Sequence, residues 1–434
     1  MIRFNANVIG PPRFITIMRV RLILLACVLS QWGLPVGVHA DDWTQFRGPG
    51  GQGLCGEKSL PISWSIKAGQ NILWKAALAK SDNPYSSPIV CRGRVITTIT
   101  LNAGREHHVL CFDAVSGKPL WDRVVPAGPW VLTDLRGGYN APTPACDGEK
   151  IFALFGSCVL AALDMEGQPL WRYEFKDTAF DVAIGTSPIL YKDLLIVCAD
   201  QNQKKSRIIA FERASGAIKY EVPRPNVAFA HSTPVVAEMA GKSQLLVAAS
   251  NALQGVDPQN GKVIWWCKAE GDACSPVFKD KIAYIDSGRG SNGIAVDVTG
   301  SGDVSKTHLK WRTEKPIPES LSSAVIWGEF IYRVQTPGVL RCIDLSDGRD
   351  VYKQRLEGAS AWSSPIATAD GLIYLASSRT TFVVKAGPKF ELIATNPLDD
   401  PNHASAAVAD GRIYLKGQKF IYCIAQQNAP RPPP

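Results

Sequence analysis

Short apolar runs of about four to eight residues, set between Gly, Asp, Asn and Pro turns, recur along most of the chain. They lie at 95–100, 151–155, 194–199, 245–249, 282–285, 330–334, 372–376 and 412–415, and several are apolar at every position rather than at alternate ones. A strand that is apolar on both faces packs between two other sheets, so the pattern predicts stacked sheets and no helix of any length. Ahead of the runs stands a recurring step: Ser87-Pro88, Thr143-Pro144, Ser187-Pro188, Thr233-Pro234, Ser275-Pro276 and Ser364-Pro365. Ser323-Ala324 and Ser405-Ala406 fill the two remaining gaps. Pro88 to Ala406 spans 318 residues in seven steps. The mean step of roughly 45 residues is the period of a four-stranded propeller blade.

Each repeat continues in one order. A turn such as Arg92-Gly93 or Asp410-Gly411 leads into the second strand, and a third strand ends in an acidic residue and a Gly turn. A fourth then opens on an aromatic residue, as at Trp121, Trp171, Trp265 and Trp311. The eighth repeat lacks this outer strand, because the chain after 421–424 runs into a Pro-rich tail that cannot join a ladder. Asn71-Ile72-Leu73-Trp74-Lys75, ahead of the first anchor, matches the missing piece. The expected fold is therefore all-β: an eight-bladed β-propeller of four-stranded blades, its ring closed by an N-terminal strand within 71–78 that joins the last blade. The implied organisation is a signal peptide at 1–40, a lead-in at 41–70, the propeller at 71–425 and the tail at 426–434.

Composition narrows the partners. With 46% hydrophobic and 20% charged residues the chain is not disordered. The net charge of +8 owes four units to arginines in the first forty residues, and the remainder is dispersed, so nucleic acid is not an expected partner. Arg19 and Arg21, the apolar stretch 22–29 and Val38-His39-Ala40 read as an export signal with cleavage after Ala40. Cys27, after Leu24-Leu25-Ala26, is an alternative lipoprotein site. The apolar run is too short for a transmembrane helix. The ten other cysteines include no Cys-x-x-Cys and read as buried thiols.

Candidate chemistry follows from the register. The residue three before each anchor should line one mouth of the channel, and these are Tyr85, Ala141, Gly185, His231, Ala273, Leu321, Trp362 and His403. Tyr85, Trp362 and His403 belong to blades that neighbour each other through the closure. Tyr139 is expected beside them, His231 on the opposite wall, and Trp130 nearby on the longest loop. Such an arc can stack a flat ligand or anchor a peptide. No Ser/His/Asp or Cys/His motif is present, so no catalytic residue is assigned. The histidines do not converge, so no metal site is expected.

The Asp-x-x-x-Gly-x-x-x-Trp pattern, in Asp113…Gly117…Trp121 and Asp257…Gly261…Trp265, resembles the tryptophan-docking repeat of quinoprotein propellers. In that family the Trp packs on the next blade and the Gly makes the turn. Asp42-Trp43-Thr44-Gln45-Phe46-Arg47-Gly48-Pro49 is similar to the lead-in of exported bacterial PQQ-repeat proteins. The resemblance implies one of two kinds of member. Large alcohol dehydrogenases bind pyrroloquinoline quinone (PQQ) and calcium; shorter relatives, the BamB-like outer-membrane assembly factors, bind protein and carry no cofactor. The adjacent cysteines typical of the enzymes are absent here, and the short repeats leave little beyond the strands. The expectation is a monomeric, non-catalytic scaffold of the periplasm or cell envelope, with an outer-membrane association among the family's implications. It would carry no cofactor and would bind an envelope protein or peptide, or a small molecule at the channel mouth. The alternative is a PQQ-dependent dehydrogenase, or another small-molecule enzyme, with its site at that mouth.

Overall fold

Each anchor step delivers the chain into a short first strand, and a tight turn returns it as the second. At Arg92-Gly93 and Asp410-Gly411 both turn residues have positive φ, the geometry that matches the twist of a two-residue hairpin. The computed structural model describes residues 42–427, apart from 82–84, 129–137, 181, 228, 240–241, 287 and 289. Its strands form eight sheets, the blades of a propeller, with main spans 89–126, 145–174, 189–223, 235–268, 277–312, 325–355, 366–397 and 407–424, here blades 1 to 8. Pro49–Gly51, a single 3-10 turn, is the only helical element among the described residues.

Burial explains the runs. Strand Leu194–Ala199 is buried at every position, whereas the outer strand Pro119–Pro126 alternates. Middle strands are covered on both faces by neighbouring blades. Ile89, Cys91 and Cys111 of blade 1, for example, pack with Cys146, Ile151 and Ala153 of blade 2. All ten cysteines among the described residues are free thiols, nine of them buried.

The outer strands are fixed to the next blade by their aromatics. Trp121 Nε1 donates to the Met165 carbonyl at 2.9 Å and its ring lies over Gly167. Gly167 has φ 78, and a Cβ there would meet the indole at 2.8 Å, so both the turn and the close approach require glycine. Trp171 repeats this on Arg213 and Gly216, and Trp311 on Leu345 and Gly348. Trp265 departs from the family's pattern. It is fully buried and donates to Gln244 Oε1 of its own blade at 2.7 Å. An insertion in blade 5 instead lays strand Gly302–Asp303 parallel along the outer edge of Val263–Lys268. In blade 6 the role passes to Trp327, at the end of a first strand, which donates to the Thr368 carbonyl at 3.0 Å and lies over Gly371. Blade 8 takes its outer strand from Ile72–Ala77, antiparallel to Phe420–Ile424.

At the inner rim the anchors form a second circuit. The backbone N–H of Ser87 donates to Thr143 Oγ1 at 3.0 Å, that of Thr143 to Ser187 Oγ at 3.0 Å, and that of Ser187 to Thr233 Oγ1 at 2.9 Å. The series continues through Ser275, Ser323, Ser364 and Ser405, and the Ser405 N–H returns to Ser87 Oγ at 3.0 Å. All eight anchors are buried, and the hydroxyl in each step serves as the partner of an amide of the preceding blade. Ser187→Ala is expected to cost about 1–3 kcal/mol in urea unfolding, because it strands the Thr143 N–H. Ser215→Ala, in an exposed turn, should change little; equal effects would remove the anchors' structural role.

The lead-in runs across the axis. Trp43 pairs with Val90 of blade 1, and the Thr44 carbonyl accepts from Cys146 of blade 2. Gly51 packs on Val235 of blade 4, Gln52 Oε1 accepts from the Phe278 N–H of blade 5, and Arg47 donates to the Ala324 carbonyl of blade 6. Strand Leu54–Cys55 then pairs in parallel with Ile366–Thr368 of blade 7. Every one of these partners lies just past its anchor, so the segment spans the channel on that side of the ring.

Candidate functional site

On the other side of the anchors the channel opens as a cavity of about 610 Å³. Its rim carries all eight residues that stand three before an anchor, and seven of the eight anchors line it below. Phe46, from the lead-in, contributes at the base. The result is a cup rather than an open tunnel.

One wall is aromatic. The rings of Tyr85 and Trp362 stack with centroids 5.4 Å apart and planes 13° from parallel. His403 meets Tyr85 at 5.9 Å, edge-on, and Trp362 at 5.3 Å. These residues lie on the loops entering blades 1, 7 and 8. Trp362 remains 39% exposed, while Tyr85 and His403 are half-buried. Burial pushes the Tyr85 phenol up and the His403 imidazole down from their ordinary pKa values, so this wall is uncharged at neutral pH. A neutral, flat, partly exposed surface suits stacking against a planar group or a side chain.

His231 stands among the cavity residues of blade 4, against Phe229 at 4.6 Å, and its backbone N–H donates to the Asp272 carbonyl at 2.5 Å. Gly185 gives its ring room, since a Cβ there would collide with the imidazole. Tyr139 does not join the arc. It is buried, packed on Gly104 and Gly156 and 6.0 Å from His107, and it is no part of the cavity wall. The residue of blade 2 at the rim is Ala141, whereas Tyr139, two residues earlier, is buried. Trp130 lies outside the described residues. Phe46, Glu319 and Val182 are lining residues that the register did not identify. Phe46 carried the one available signal, an aromatic beside Trp43 in a segment otherwise rich in polar residues and glycine.

Calcium takes six to eight oxygen ligands, usually with several carboxylates. Glu319 supplies the one carboxylate of the cavity lining, and among the described residues no three His, Cys, Asp or Glu side chains converge. The donor set does not fit the calcium that accompanies the quinone. His107 and His108 diverge as well: His107 Nε2 pairs with Ser157 at 2.6 Å, and His108 Nδ1 with Asp122 at 2.8 Å.

Comparison with known proteins agrees with the architecture. Among solved structures, BamB from Moraxella catarrhalis is similar at TM-score 0.60 and 13% identity, covering 83% of this chain and 98% of that one. The quinohemoprotein alcohol dehydrogenase ADHIIG from Pseudomonas putida HK5 aligns at TM-score 0.55 and 10% identity over 91% and 82%. The computationally designed Ika8 protein aligns at 0.58 and 10% identity over 80% and 98%. At these identities the likeness is one of fold. A search of curated proteins gave no sequence match. The family model described as outer membrane protein assembly factor BamB matches residues 62–178 and 105–354, which together cover most of the propeller. The chain belongs to that BamB-type family of PQQ-like propellers.

Proposed function

We propose that the protein is an exported, non-catalytic binding scaffold of the cell envelope, which holds a protein segment or a small planar ligand in the cup. The observation that carries this reading is the stacked, partly exposed Tyr85–Trp362 pair with His403 at the rim of a cavity closed below by the chain's own lead-in. An exposed aromatic cluster in a concave site gains most from being covered by a partner. Membership of the BamB-type family supports a scaffold role, and the export signal read from the sequence supports the compartment.

The test compares capture from envelope extracts by the wild-type protein and by Trp362→Ala. Binding should fall about tenfold or more, while the thermal midpoint stays nearly unchanged because the side chain is far from fully buried. A large fall in midpoint with capture intact would assign the cluster to stability. Mixing the protein with PQQ and calcium addresses the enzymatic alternative. Saturable, stoichiometric binding with dye-linked alcohol oxidation would overturn the scaffold reading.

A further inference from the structure

Arg47 is a fully buried cation without a carboxylate. It forms no ion pair among the described residues. Its Nη2 donates to the Gln52 carbonyl at 2.9 Å and to the Ala324 carbonyl, while Nε and Nη1 have no acceptor among the described residues. Burial draws its pKa down to about 9, and the neighbour acting on it is the Cys274 thiol, itself pushed up by burial. The buried Arg333–Asp286 pair, which meets the same Cys274 thiol, carries no net charge and leaves that of Arg47 over. An uncompensated buried charge costs several kcal/mol, and native proteins seldom leave its N–H groups unpaired.

Position gives the charge a context. Ala324 follows the Ser323 anchor, and a Cβ on Gly53 would meet both Arg47 Nη2 and the carbonyl of Pro365, the residue after the Ser364 anchor. The guanidinium is therefore level with the anchor circuit at blades 6 and 7. There Ser323 and Ser364 each accept a backbone N–H, and among the described residues no acceptor takes their hydroxyl protons. Both line the cavity base. The buried Gln52 Nε2 also lacks an acceptor. The unpaired atoms of Arg47 and Gln52 are donors, and Arg47 adds a positive charge.

We propose that Arg47, with the Gln52 amide and the anchor hydroxyls of blades 6 and 7, holds a small monovalent anion of chloride size at the base of the cup, pinning the lead-in to the ring. Bromide is the probe. In crystals of the whole protein grown or soaked in bromide, anomalous diffraction should place an ion within hydrogen-bond distance of Arg47 Nε or Nη1. In solution, the thermal midpoint should rise by about 3 °C or more as potassium gluconate is replaced by potassium bromide at constant ionic strength. Arg47→Gln should abolish that rise. Water alone on the Arg47 nitrogens, or a bromide response that persists in Arg47→Gln, would overturn the proposal. Should the variant fail to fold, diffraction from the wild-type protein decides the matter.

Discussion

Trp74→Ala should destabilise the protein by about 3–5 kcal/mol, the range for truncating a buried tryptophan. The expected loss is structural as well as volumetric. The Trp74 ring lies over Gly117 of blade 1, its Nε1 donates to the Ala114 carbonyl at 3.1 Å, and it sits 6.0 Å from Tyr414 of blade 8. One side chain therefore joins strand Ile72–Ala77, the last blade and the first. Removing it should raise hydrogen exchange in Ile72–Ala77 and Phe420–Ile424 before the rest of the molecule. Trp171→Ala, which breaks the same docking between blades 2 and 3, should lower stability by a similar amount without exposing those strands. Uniform loss of protection in both variants would show that the junction of chain ends is no weaker than the other blade contacts.

The second large effect is a dependence on pH centred on Lys416. Its ammonium is fully buried between blades 8 and 1, donating to the Thr98 carbonyl at 2.7 Å and the Ser86 carbonyl at 3.1 Å. Burial lowers its pKa from 10.5 to about 7. Between those values the unfolded chain holds the proton more tightly than the folded one, so raising the pH through the window favours folding. Stability should therefore climb from about pH 7 towards pH 10.5, and below pH 7 this contribution should be flat. At about 1.36 kcal/mol per pKa unit the full swing is on the order of several kcal/mol. Lys416→Met should remove the slope and stabilise the protein at neutral pH, since the hydrophobic isostere carries no buried charge. The measurement is denaturant unfolding of both proteins across that range. A slope that survives in Lys416→Met would assign it to other groups.

The repeat was legible because two of its requirements are chemical. An anchor must supply a hydroxyl to the preceding blade, so Ser or Thr stands in every copy, including Ser323 and Ser405, where the proline is lost. A docking indole must lie on a residue without a side chain, so Trp121 and Gly167 recur as a pair. The same register brought Tyr85, Trp362 and His403 together, since equal offsets on neighbouring blades are equal heights on the rim. Tyr139 misled because it stands outside that offset, where nothing periodic governs the chain. Trp265 could not be read as an exception, because its partner Gln244 is defined by folding and not by spacing. The lead-in was the least legible part. It repeats nothing, and Arg47 finds its acceptor 277 residues away.

The lead-in and the strand Ile72–Ala77 also set an order of events. Both are made early, yet their partners, Ile366–Thr368 and Phe420–Ile424, come near the end of synthesis. Contacts of such sequence separation form slowly, because the loop must close before they return any free energy. Blades 1 to 7 can each complete their own four strands as they emerge. The floor of the cup and the eighth blade cannot, and must wait for the last hundred residues. A chain threaded through a narrow exit from its N-terminus would thus arrive with its first segment unpartnered, and the cup would be the final part of the molecule to exist.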